Sequence, residues 1–456
     1  MKRTASLKNF KMDLLEFRTA LVGNMSHFEA LSCEQLLGID DHDPSHLSAV
    51  MSSTKGAAPL PSWPLVTARA IALMKSVFST MVHHLDSINT TTTSIAARTP
   101  CPYNCTLEQV KFPIRNDMPQ LDVSQAAGSM TAEWVNYKSP ALGVDTSKSD
   151  RCILYIHGGA YFSMSRKTHR MATWRLSKYS ECTVFSTDYR LAPQYCYPSA
   201  LIDVLSAYHY LLNPTDPKQR RFRPIDISFV GDSAGGGLAM ALNLYCRDTG
   251  YLPMPGALGL MSPYLDLTQS LPSWHLNKPS DFLPIGACDP KYINDSRSHP
   301  YVMHDSEINC SYVSPIFSIE DPENPLPPTL IQIGDAERPR DDSLFFKTRS
   351  FKNSDIQFEI YQDGVHFFQQ FCPFDKMGRF ALRRMGNFLR QQSGQSKYSE
   401  SVRRGLIRKT PLWVANDETN TVLRLEDADR ILGDGADTLV KLGIWKRSGN
   451  TLEINR

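Results

Sequence analysis

Three stretches of this chain carry side chains that could work together in acyl transfer. Ser233 lies in Gly231-Asp-Ser-Ala-Gly235, the carboxylates Asp335 and Glu337 follow Gly334, and His366 closes Asp363-Gly-Val-His366. A serine hydroxyl is a weak nucleophile until a base takes its proton, and histidine is the side chain that titrates nearest neutrality. A carboxylate behind the imidazole fixes its tautomer and steadies the imidazolium that forms.

Such a serine needs a special backbone. The apolar run from Ile225 to Val230 stops at Gly231, and Leu238 to Tyr245 reads as a helix. Strand, sharp turn and helix therefore follow one another with Ser233 at the apex. In a nucleophile elbow the serine backbone is strained and its neighbours two places away must be small. Gly231 and Gly235 occupy those places. A phosphate cradle is the competing reading of the glycines, but it calls for a Walker lysine or a wider glycine spacing, and neither is present.

The elements around these groups repeat one pattern. Apolar runs at Cys152 to Ile156, Thr183 to Thr187, Ile225 to Val230, Ala257 to Met261, Thr329 to Ile333 and Ile356 to Tyr361 are separated by helical stretches such as Pro198 to Leu212. Alternating strands over Glu108 to Pro113 and Thr131 to Tyr137 precede them. This predicts an α/β protein with a mainly parallel sheet, whose active site gathers at the carboxyl ends of the strands. Ser233, the two carboxylates and His366 each follow such a run. So does His157-Gly-Gly-Ala-Tyr-Phe162, whose glycines either turn N–H groups outward to an oxyanion or make a plain tight turn. The chain order serine, acid, histidine is the one expected of α/β-hydrolases.

Composition narrows the rest. With 456 residues, 41% hydrophobic and 21% charged, the chain fits one large domain of about 250–300 residues plus appendages. A formal net charge of +2 gives no footprint for nucleic acid. Ten cysteines are too few for a disulfide scaffold, and Cys152, Cys182 and Cys246 sit in apolar runs as inert thiols, which points to a reducing compartment. Residues 1–106 read as helices and loops (Met12 to Leu21, Phe28 to Leu37, Trp63 to Leu85) that cover an edge or form a lid. Arg69 and Lys75 interrupt the apolar stretch from Trp63 to Val82, which suits an amphipathic helix on protein or on a membrane surface rather than a spanning one. The expectation is a cytoplasmic protein, with peripheral contact to an internal membrane left open. Residues 265–327 are too long and too rich in Pro, Ser and Asp for an ordinary loop and read as an inserted cap. No metal or other cofactor is expected: Cys101 and Cys105 lack partners at zinc spacing, and there is no HExxH.

Together, His157-Gly-Gly-Ala-Tyr, Asp188-Tyr-Arg-Leu-Ala-Pro, Gly231-Asp-Ser-Ala-Gly-Gly, Ser262-Pro-Tyr-Leu-Asp-Leu-Thr and Asp363-Gly-Val-His resemble the hormone-sensitive-lipase group of α/β-hydrolases, over about residues 107–392. Within it the chain most resembles fungal steryl-acetyl-hydrolase-like and carboxylesterase members. The resemblance implies an eight-stranded, mainly parallel sheet with a helical cap built from the N-terminal helices and the 265–327 insert. Residues 393–456 lie outside it, as a tail with no assigned role. It implies Ser233 as nucleophile, His366 as base and Glu337 as acid, with Asp335 as the alternative acid. A glutamate replaces the commoner aspartate, and Arg338-Pro339 replaces the usual apolar pair. It implies an oxyanion site from the N–H groups of Gly158, Gly159, Ala160 and Ala234. Ala160 stands where many members have a third glycine and must accept its φ.

The expected function is hydrolysis of carboxylic esters, short to medium acyl or acetyl esters of a hydrophobic alcohol, through an acyl-enzyme. Its partner would be a small hydrophobic ester. Two other readings compete: an inactive ligand-binding protein on the same scaffold, against which the presence of His366 argues, and an acyltransferase or deacetylase tailoring a secondary metabolite.

Overall fold

The computed structural model describes residues 102–283, 297–371 and 375–392, nine positions between 60 and 78, and five C-terminal segments at 412–414, 420–422, 425–441, 445–448 and 451–454. The helices expected at Met12 to Leu21 and Phe28 to Leu37, and the basic run at 401–409, lie outside the described residues.

Two long strands, β1 (Cys105–Pro113) and β2 (Ser129–Ser139), pair antiparallel at one edge, and the short β3 (Val144–Asp145) folds back on β2. The apolar runs become β4 (Cys152–Ile156), β5 (Thr183–Thr187), β6 (Ile227–Asp232), β7 (Ala257–Met261), β8 (Thr329–Gly334) and β9 (Ile356–Tyr361), all buried but for the half-buried Ser228 and Gln357. Their order across the sheet is β1-β2-β5-β4-β6-β7-β8-β9, with every pair from β5 to β9 parallel. Strands covered on both faces read as continuous apolar runs rather than alternating ones, which is why their bounds stand out in the sequence. The expected third run is displaced by two residues. Pro224–Asp226 form a 3-10 turn and the strand runs on through Gly231 and Asp232.

Helices cover the faces: α1 (Arg170–Ser180), α2 (Ser199–Leu212), α3 (Ser233–Thr249), the short α4 (Ser273–Leu276), α5 (Arg340–Phe345) and α6 (Lys376–Gln392). On one side α2 and α3 meet the sheet through Leu205, Tyr208, Leu238 and Leu242, all at most 1% exposed. On the other side α1 and α6 bring Ala172, Leu176, Leu382 and Met385 against Ile153, Tyr155 and Val230. Each fully buried Leu or Met contributes roughly 1.5–3 kcal/mol, so both faces are firmly held and the carboxyl edge is a rigid platform.

Within 265–327 the described residues form α4 and two 3-10 turns, Asp305–Glu307 and Pro315–Phe317, joined by loops. Among the nine positions at 60–78, Thr67, Ala68, Ile71, Ala72, Met74, Lys75 and Phe78 are helical. Ala68 and Ile71 are buried against Phe282, Val365 and Phe368, so this stretch packs on protein beside the loop after β9.

The segment beyond 392 adds to the same sheet. Strand β10 (Leu412–Val414) pairs parallel with β9, and β11 (Asn420–Val422) pairs antiparallel with β10, so the path runs two strands past the expected eight. Helix α7 (Leu425–Lys441) follows, then a hairpin of β12 (Trp445–Ser448) and β13 (Thr451–Ile454). Ile431 and Leu432 of α7 pack on the main core, and Gly435 lies against Pro272 at the head of α4. Among the described residues no helix is long and apolar enough to cross a membrane.

Candidate active site

Ser233 stands where β6 passes directly into α3, with no intervening residue. Its φ of 51° is left-handed, an uncommon state for serine that costs about 1–2 kcal/mol and projects the hydroxyl off the sheet edge. The flanking glycines make this turn sterically possible. A Cβ on Gly231 would meet the Gly235 carbonyl oxygen at 2.3 Å, and one on Gly235 would meet the Ile156 oxygen at 2.1 Å. The elbow is folded against β4 at backbone contact distance.

Asp232, also buried, anchors the turn from beneath. Tyr155 donates its hydroxyl to one Asp232 oxygen at 2.5 Å, and His169 Nε2 lies 3.2 Å from the other. Burial opposes charge on His169, but the Asp232 carboxylate more than offsets it and the imidazole is held above its ordinary pKa. His169, in the Thr168-His-Arg run that follows His157-Gly-Gly in the sequence, thus braces the residue preceding the serine.

The Ser233 hydroxyl donates to His366 Nε2 at 2.7 Å, and His366 Nδ1 donates to Glu337 Oε2 at 3.0 Å. A carboxylate can only accept, so this bond places the proton on Nδ1 and leaves Nε2 with its lone pair towards the serine. Exposure falls along the chain of groups, 9% at Ser233, 3% at His366 and 0% at Glu337. The other Glu337 oxygen takes the Gly334 N–H at 2.9 Å. Ser262, just past the end of β7, bonds the same carboxylate and accepts the Phe367 N–H at 3.0 Å, so it ties the Glu337 and His366 loops together. In the sequence Ser262 marks only the start of a motif; its position just past a strand end was the available signal.

Charge in this chain of groups is balanced tightly. Burial pushes the Glu337 carboxyl up, and the bond from His366 works against it. Burial also pulls the His366 imidazole down, but the Glu337 bond and charge, with smaller pulls from Asp281 and Asp232, outweigh it and hold it above its usual range.

Asp335 is placed differently. Among the described contacts its carboxylate makes no bond to His366; it faces Asp363, whose N–H it accepts, and its Oδ1 has no hydrogen-bond partner. Burial, then repulsion from Asp363, push its pKa up to about 7.

The loop after β4 carries three of the four expected oxyanion donors, at Gly158, Gly159 and Ala160. Gly159 has φ 121°, and Ala160 and Tyr161 have φ 53° and 67°, so the alanine does adopt the left-handed turn. The Gly159 carbonyl is fastened by the N–H groups of Phe162 and Ser163 and by the Ser163 hydroxyl. Among the described hydrogen bonds none uses the N–H of Gly159 or Ala160. His157 stacks on Tyr189 at 4.4 Å and donates from Nδ1 to the Gly158 carbonyl. Burial, with the charge of His169, depresses its pKa to about 3 and keeps it neutral, a wedge beneath the loop. Ala234 is fully buried in the first turn of α3, where N–H groups have no partner within the helix.

No group of His, Cys, Asp or Glu suited to a metal occurs among the described residues. Cys152, Cys182 and Cys246 are buried, and burial pushes each thiol up, away from reactivity.

Residues 153–370 match the family profile of the alpha/beta hydrolase fold. An esterase of Acinetobacter venetianus is 34% identical over 245 residues, covering 53% of this chain and 75% of that protein. An acetyl-hydrolase of Streptomyces hygroscopicus is 30% identical over 273 residues, covering 59% and 82%. Among solved structures, an esterase of the bacterial hormone-sensitive lipase family superposes with a TM-score of 0.55 and 26% identity, over 71% of this chain and 99% of that one. The chain belongs to the hormone-sensitive-lipase-like group of α/β-hydrolases. It is a carboxylic ester hydrolase.

Proposed function

We propose that Ser233, His366 and Glu337 are the catalytic triad, and that the enzyme cleaves short to medium acyl esters, acetyl esters among them, of a hydrophobic alcohol. The observation that carries this reading is the unbroken relay of 2.7 and 3.0 Å bonds from Ser233 Oγ through His366 to Glu337. His366 Nε2 takes the hydroxyl proton as Oγ bonds to the ester carbonyl carbon. The tetrahedral oxyanion turns to the N–H groups of Gly158, Gly159, Ala160 and Ala234. As it collapses, the C–O bond to the alcohol breaks and the alcohol leaves with the proton from Nε2. Water then gives a proton to Nε2, adds to the acyl carbon and releases the acid, returning the proton to Ser233. Each oxyanion donor is worth about 3–4 kcal/mol in such a site.

The acyl preference draws support from the Streptomyces relative that is named an acetyl-hydrolase. Phe282, with its ring 6.1 Å from that of His366, gives the base an apolar neighbour suited to an alcohol of low polarity. A p-nitrophenyl series from acetate to palmitate, with a steryl acetate, reads the preference directly. Ser233→Ala should lose about 10⁶ in kcat on the best of these. Wild-type turnover by that variant would overturn the nucleophile assignment, and a preference for palmitate would overturn the acyl one.

A further inference from the structure

The turn bearing Glu337 is held by one short stretch of the 265–327 segment. Ser273 donates its hydroxyl to the Arg338 carbonyl at 2.5 Å. Asn277 Nδ2 donates to two carbonyls, Asp335 at 3.0 Å and Glu337 at 2.7 Å. Ser280 donates to the Ala336 carbonyl at 2.8 Å, and Asp281 accepts the Arg338 N–H at 2.7 Å. Four consecutive carbonyls, 335 to 338, thus each take a donor from residues 273–280, and the Asp335 carbonyl takes a second from Arg340 Nη1 at 3.2 Å. Phe282, next to Asp281, lies edge-on to the His366 ring.

We propose that residues 273–282 form a strap that positions the acid, with Asn277 as its principal positioning residue. This rests on the reading of Glu337 as the triad acid. Past β8 the backbone pairing goes on only through the N–H groups of Asp335 and Ala336, to the Tyr361 and Gly364 carbonyls at 3.0 Å each, and carbonyls facing water would leave the turn's torsions soft. The Asn277 amide spans the turn from Asp335 to Glu337 and removes that freedom at the Asp335–Ala336 and Glu337–Arg338 peptides. Only a donor with two N–H groups in one plane can do this, which an aspartate of the same shape lacks.

The strap is itself held from the N-terminal stretch. Lys75 Nζ donates to the carbonyls of Lys278 and Pro279, and Phe78 packs on Phe282 with ring centroids 5.3 Å apart. Trp63 Nε1 donates to the Asp363 carbonyl at 2.7 Å, in the turn that leads to His366. The segments at 60–78 and 273–282 therefore join acid and base from outside the sheet.

Asn277→Ala and Asn277→Asp test this against Glu337→Gln and the double variant. Both single Asn277 variants should lower kcat per titratable serine about ten- to a hundredfold, the scale of a small misplacement, with KM within a factor of about two. The charged groups acting on His366 are Glu337, Asp281 and Asp232. A slackened Glu337 bond lets the imidazole pKa fall, so the acid limb of kcat/KM should move to lower pH. Asn277→Ala should cost little further in the Glu337→Gln background, because the amide acts through that side chain. Wild-type kcat and an unmoved acid limb in Asn277→Asp overturn the strap, even if its Tm drops. Should neither Asn277 variant fold, Ser280→Ala, which loses one bond of the set, must show the same smaller change in kcat and limb, and wild-type behaviour there overturns the proposal. If Glu337→Gln keeps wild-type activity, it is the triad reading that falls instead.

Discussion

Ser233, proposed as the nucleophile, and the two residues that follow it in the hydrogen-bonded relay are held in opposite ways. Ser233 sits at a junction with no loop: β6 ends at Asp232, α3 begins at Ser233, and the turn is clamped by the backbones of Ile156, Gly231 and Gly235. The backbones that clamp it belong to three adjacent elements, β4, β6 and α3. Glu337 and His366 instead lie on turns that have left the sheet, three residues past β8 and five past β9. Their partners come from far along the chain, with Trp63 bonding a residue 300 positions away and Asn277 one 60 positions away. A nucleophile elbow is self-contained because strain at one residue needs rigid neighbours on both sides. An acid and a base tolerate longer connections provided other segments supply the rigidity.

The largest expected effect separates the two carboxylates that share the acid turn. Glu337→Gln keeps the shape but turns a donor towards Nδ1 or leaves it with a weaker acceptor, so the imidazolium loses its counter-charge. The kcat should fall on the order of 10⁴-fold. Asp335→Asn should leave steady-state kinetics on a p-nitrophenyl ester unchanged, since its carboxylate faces Asp363 rather than His366. Reversed results would move the acid to Asp335 and require the turn to be rebuilt.

A smaller effect probes the self-contained side. Gly235→Ala places a methyl group 2.1 Å from the Ile156 oxygen and 2.4 Å from the His157 oxygen. Neither is a flexible side-chain end, so β4 and α3 must move apart. The cost should be about 1–3 kcal/mol or more in unfolding free energy. The same shift would carry Ala234 away from the loop at 158–160, and kcat should drop with it. If urea unfolding and kcat both stay at wild-type values, the elbow is far less rigid than its contacts imply.

This contrast also explains what could be read in advance. The six parallel strands announce themselves because burial on both faces leaves uninterrupted apolar runs, and the Ser233 turn because a strained serine demands glycines at fixed offsets. Both are local signals. Ser262 could be suspected from its place after β7, though not its bonds to both Glu337 and Phe367. Asn277 and Phe282 gave no signal at all, and Trp63 only as the start of an amphipathic stretch, for their roles depend on segments that meet only in the folded chain. The tail was opaque for a related reason. Strand β10 is three residues long, too short to show a period, and it is recognisable only by its pairing with β9.

The last effect, on stability and not on turnover, turns on titration at Asp335. The Asp335 carboxyl is pushed from 3.8 up to about 7 by burial and by Asp363, while in the unfolded chain it loses its proton near the ordinary value. Between those two values the folded protein holds a proton that the unfolded chain has released. The folded state then binds more protons, so its stability falls as pH rises across this window, and the whole penalty is present above it. The Asp335→Asn variant carries no such penalty, and its amide oxygen can still accept the Asp363 N–H. It should therefore gain stability over wild type, on the order of a few kcal/mol, at about pH 8, with the gain shrinking towards about pH 4. Urea midpoints at both ends of the range measure it. A stability difference that stays constant with pH would mean that Asp335 is ionised in the folded protein throughout, and that its turn is open enough to water to need less external support than the neighbouring Glu337 receives.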